Sequence, residues 1–181
     1  DEKKVLDDLR RIVEKVKRDL DELLKDNRRV LREVEEELKR LNEELRRIAE
    51  EVTRELRRLP RTRELERIEK EIERRLKELH ERSDELRRRL RKLHDELREK
   101  LERLKKRMED LLRTLKDLVD KGDVDEKLAE EVARELRRLL REAEETSRDT
   151  KRKLREVLRE WRELVKKIVD EMRRLLEEIK R

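Results

Sequence analysis

Apolar residues recur along this chain every 18 positions, and that spacing restricts it to one kind of local structure. In the first segment Val5, Leu23, Leu41 and Leu59 are 18 apart, as are Ile12, Val30 and Ile48. Val16, Val34 and Val52 follow the same rule, and so do Leu20, Leu38 and Leu56. Between repeats the steps are 4, 3, 4, 4 and 3 residues, a mean of 3.6. That is the period of the α-helix itself, whereas a heptad gives 3.5. The pattern therefore predicts long helices whose apolar stripe runs nearly straight, with little supercoil. At position 27 the repeat asks for a hydrophobe and the chain supplies Asn27.

The chain breaks this pattern twice. Its one proline, Pro60, ends the first helix, predicted over residues 2–59, and Thr62 is placed to cap the next. A second helix over 63–120 carries Ile68, Leu86 and Leu104, with Ile72, Leu90 and Met108 beside them. The one glycine, Gly122, closes it. Asp123 with Glu126 reads as a capping box opening a third helix over 124–180, where Leu136, Leu154 and Met172 continue the series. Each helix would be roughly 85 Å long at the standard rise. Short turns make neighbours antiparallel, and each stripe must be buried. The expected fold is all-α: a single domain over residues 1–181, an antiparallel up-down-up three-helix bundle of long, nearly straight, coiled-coil-like helices.

Charged residues make up 61% of the chain and hydrophobic ones 32%, which on composition alone would fit disorder. The strict periodicity of Leu, Ile and Val argues for a folded chain instead. Fifty-eight basic against 52 acidic residues leave a net charge of +6, and the two signs are interspersed. Pairs such as Glu14–Arg18, Glu43–Arg47, Glu85–Arg89 and Glu102–Lys106 have the i,i+4 spacing of weak local ion pairs. A nucleic-acid binder would segregate a basic face, so no nucleic-acid partner is expected. No apolar run approaches a membrane span, no targeting signal is visible, and no cysteine is present.

Polar interruptions of the stripe fall at matched levels. With short turns, residues of helices 1 and 2 lie level when their numbers sum to about 121, and those of helices 2 and 3 at about 243. Asn27, His94 and Thr150 then share one layer, with Thr146 and Ser147 about a turn away. A buried polar group left unpaired costs about 1–3 kcal/mol, so these side chains are expected to bond with one another. Their role would be registry, because an apolar layer fits many offsets while a polar one fits few. A second group, Asn42, His80, Ser83 and the lone Trp161, falls nearer the first turn, towards the edge of the core.

Little chemistry is available to these residues. His80 and His94 are 14 residues apart on one helix, about 21 Å, and cannot share a metal ion. One glycine rules out a glycine-rich phosphate loop, and a Ser83–His80 contact without an oxyanion hole would be structural. The sequence predicts no enzyme, no cofactor and no metal.

The straight 18-residue repeat, the single loop Gly122 and Pro60, and the Arg/Glu/Lys surface resemble those of de novo designed helical bundles. The level-matched Asn27, His94 and Thr150 are similar to the buried hydrogen-bond networks installed in such designs. The resemblance covers the whole chain and implies a scaffold with no natural substrate, expected to be monomeric and to require no partner. The alternative is an interaction module or switch component that binds a further helix or self-associates, using the doublets of helix 3 such as Leu139-Leu140 and Leu164-Val165. Consistent caps, propensities and patterning also imply hyperstability. A thermal melt followed by circular dichroism is expected to show a midpoint above ~90 °C; a cooperative transition below about 60 °C would contradict the idealised-bundle reading.

Overall fold

A computed structural model describes residues 2–122 and 125–181. Three helices account for nearly all of them: α1 (Glu2–Arg57), α2 (Arg63–Asp120) and α3 (Glu126–Lys180). Among the described residues there is no strand. The ends of the helices follow from local chemistry. After α1 the chain tightens, with Arg58 and Leu59 donating their N–H groups to the carbonyls of Glu55 and Leu56. Pro60 then prevents any continuation. Thr62 caps α2 by accepting the Leu65 N–H at 3.1 Å, as its position suggests. At the far end Gly122 adopts φ +74°, the left-handed conformation that ends a helix, and its N–H reaches the Val119 carbonyl at 3.0 Å. Asp123 lies outside the described residues. The observed cap of α3 is Asp125, whose carboxylate accepts the Leu128 N–H at 2.8 Å, so the helix begins at Glu126, not 124.

The chain divides into two compact units, each drawing on all three helices. The first contains residues 1–30 and 92–152, the second 31–91 and 153–181. The numbering of contacts gives the helix directions within each. In the first unit Lys17 pairs with Glu109 and Asp21 with Lys105, one number rising as the other falls, so α1 and α2 are antiparallel. Lys100–Glu142 and Arg107–Glu135 give the same for α2 and α3. In the second unit Glu37–Arg162 and Glu55–Lys180 share an offset of 125, so α1 and α3 are parallel. The fold is an antiparallel up-down-up three-helix bundle.

Two features depart from the sequence-based expectation. The apolar stripe of α1 is wider than its main series and shifted from it: Leu6, Val13 and Leu31 are buried, while Val5, Ile12, Leu23, Leu41 and Ile48 are only half-buried. A helix packing on two neighbours buries an arc, and both flanks of that arc carry hydrophobes. The ion pairs between α1 and α2 are also offset from the level count. The partners of Lys17, Asp21 and Glu35 lie about five residues further along α2 than equal level requires. Helical side chains tilt towards their own N-terminus, and in an antiparallel pair the two tilts add rather than cancel.

The first unit's core holds Val13, Val16, Leu20, Leu97, Leu101, Met108, Leu136 and Leu139, all below 5% exposed. Each such side chain contributes roughly 1.5–3 kcal/mol on burial. No heavy atom lies within 4 Å of a Cβ added at Gly122, so alanine there meets only the backbone penalty. Gly122→Ala is expected to cost about 1–2 kcal/mol in guanidinium unfolding while leaving the helical content unchanged.

Candidate functional site

The interior positions that are not apolar form the candidate site. Five polar side chains are buried among the described residues: Asn27, Ser83, His94, Ser147 and Thr150. Each is a position at which the 18-residue series is interrupted. Thr146 and Asn42 are half-buried.

In the first unit the central contact is between Asn27 on α1 and Ser147 on α3. The Asn27 amide donates to the Ser147 hydroxyl and also to the Leu23 carbonyl one turn back, at 2.9 Å. Its carbonyl oxygen is buried and accepts no hydrogen bond among the described residues. Thr150 turns to its own helix, donating to the Thr146 carbonyl at 2.9 Å, and Thr146 donates to the Glu142 carbonyl at the same distance. These are the usual back-bonds of a helical threonine. Of the expected network of Asn27, His94, Thr150, Thr146 and Ser147, the structure joins Asn27 to Ser147 across helices, while the two threonine hydroxyls donate within α3. His94 is buried at the same level, 8% exposed.

A charged contact lies directly beside this pair. Lys151, one residue beyond Thr150, bonds to Asp26, one residue before Asn27. The Lys151 ammonium holds the Asp26 carboxyl below its usual range, against burial, with Arg29 adding to the effect. A charged contact at the rim thus borders an uncharged one inside, both joining the same two helices.

In the second unit Asn42 on α1 donates to Ser83 on α2 at 3.0 Å. His80 lines the same groove as Asn42, Ser83 and Trp161, with its side chain 80% exposed and facing Asp84 at 3.8 Å. The tilt that shifts the α1–α2 ion pairs carries Asn42 about a turn past its level, to Ser83. Trp161 is buried at 1% exposure, and its indole N–H finds no acceptor among the described residues. The sequence brought Trp161 to this level without indicating that it would fill the core completely.

The surface carboxylates are paired rather than poised. Glu135 is held below its usual range by Arg138 first, with Arg107 across on α2 assisting. Of the local pairs expected from i,i+4 spacing, Glu85 instead contacts Arg82, three residues before it, and Arg89 reaches across to Glu160 on α3. Among the described residues no group of three or more His, Cys, Asp or Glu side chains could hold a metal ion, and no helix is long and apolar enough to cross a membrane. Compared with family models, curated proteins and solved structures, the chain matches none.

Ser147→Ala is expected to destabilise the fold by about 1–3 kcal/mol, because it leaves the buried Asn27 amide one hydrogen bond short. Adding Asn27→Leu should return much of that loss, since no buried polar atom then remains at the contact. Guanidinium titrations of the two single variants and the double variant measure the coupling, and additive losses would mean that the two residues do not depend on each other.

Proposed function

We propose that this chain is a structural scaffold of the de novo designed helical-bundle kind, with no natural biochemical activity. The observation that carries this reading is how fully the apolar side chains are used within the fold. Among the described residues no large hydrophobic side chain is exposed, although every helix has a broad apolar arc. A helix that offered its stripe to a partner would leave part of it uncovered. Here the widened stripes of three helices are absorbed by one another within each unit.

The buried polar contacts fit the same reading. Asn27–Ser147 and Asn42–Ser83 each join two helices and engage polar atoms that burial makes costly to leave unpaired. Sliding a helix by one turn would break such a contact while leaving apolar packing nearly as good, so these pairs set registry. Ser83 receives a hydrogen bond from Asn42, while His80 faces Asp84.

A scaffold of this kind is a monomer. Light scattering at micromolar concentration should give a mass near 22.7 kDa at every dilution. A mass near twice that value, falling on dilution, would favour the interaction module that self-associates.

A further inference from the structure

The turn between α1 and α2 carries arginines and no carboxylate. From Arg57 to Arg63 the chain reads Arg-Arg-Leu-Pro-Arg-Thr-Arg, four cations in seven residues. All four arginines are exposed. Along the helices the two signs are interspersed, but at this end of the second unit they separate. Two of the carboxylates that border the turn are already paired. Glu69 accepts from Arg61 with both oxygens, at 2.9 and 3.1 Å, and Glu55 from Lys180 at 3.0 Å. Arg57, Arg58 and Arg63 have no ion pair among the described residues. Glu64 and Glu66 follow them in the first turn of α2. A second basic run on α2 is partly neutralised, because Arg89 meets Glu160 and Arg91 meets Glu35.

The chemistry of the turn selects its partner. A planar guanidinium matches a phosphate with two parallel hydrogen bonds. Arginines on an exposed turn suit an extended polyanion, whereas a small ion needs an enclosing site. Leu59 is half-buried and no large hydrophobic side chain among the described residues is exposed, so the turn has no anchor to insert into a bilayer. It has no aromatic ring on which unpaired bases would stack. A duplex keeps its bases inside and presents a dense row of phosphates, which needs neither feature.

We propose that this turn binds the phosphate backbone of double-stranded DNA, independently of base sequence. Arg57, Arg58 and Arg63 contact phosphates, while Arg61, held by Glu69, ties the turn to α2. This goes beyond a scaffold role and departs from the absence of a nucleic-acid partner expected from the chain as a whole.

Fluorescence anisotropy of a labelled duplex of about 16 base pairs measures the binding. Three phosphate contacts should make log affinity fall against log salt concentration with a slope of about −3. Arg58→Gln with Arg63→Gln removes two contacts, and should bring the slope to about −1 and weaken binding about tenfold at about 50 mM salt. Arg137→Gln with Arg141→Gln, exposed on α3 in the first unit, removes the same charge and should leave slope and affinity at the parent's values. Circular dichroism should show both double variants to be as helical as the parent. No saturable binding by the parent at about 50 mM salt would overturn the proposal. Equal weakening by the two pairs would also overturn it, by showing that net charge alone attracts the duplex. Binding to phosphatidylserine vesicles without binding to the duplex would overturn it too, assigning the turn to a membrane surface.

Discussion

The constraint on which this structure depends is that each helix must bury an arc wider than one neighbour can cover. A helix in a two-stranded coil hides a narrow seam. Here Leu6, Val13 and Leu31 are buried on one flank of α1, while Val5, Ile12, Leu41 and Ile48 are half-buried on the other. Two neighbouring helices close such an arc, which is why three helices and two short turns suffice. The absence of exposed large hydrophobics among the described residues is the other side of that closure.

Inside that closed arc, polar side chains face a different requirement. An apolar residue is satisfied by contact with almost any neighbour, but an amide or hydroxyl needs a partner at hydrogen-bond distance and angle. Asn27 and Asn42 meet this by reaching serines on other helices. Thr146 and Thr150 meet it without leaving their own helix, since a helical threonine can donate to the carbonyl four residues back. The difference in reach explains why the asparagines link helices and the threonines do not. The buried Asn27 carbonyl oxygen and the Trp161 indole N–H do not meet that requirement among the described residues.

The surface charges act mainly as local and rim contacts. Acid-before-base pairs three residues apart, such as Asp26–Arg29, Glu71–Arg74 and Glu135–Arg138, recur along the helices. Lys151–Asp26 and Arg162–Glu37 cross from α3 to α1 beside the buried rows. Each exposed pair contributes little to stability.

By itself the sequence determined the helical period, the three-helix count and direction, the ends at Pro60 and Gly122, and the interior positions that are polar. These are properties of near neighbours along the chain, and an 18-residue repeat records them openly. Only the tertiary structure decided which polar groups meet. Level counting paired Asn42 with His80 and gathered Asn27, His94 and Thr150, but it treats a side chain as lying at the height of its own Cα. Tilt towards the helix N-terminus carries Asn42 to Ser83 and leaves His80 in solvent. Thr150 donates to its own helix, and within the expected polar group the bond between helices runs from Asn27 to Ser147. The cap at Asp125 and the groove beside Trp161 likewise depend on where side chains point in three dimensions, which periodicity along one chain does not encode.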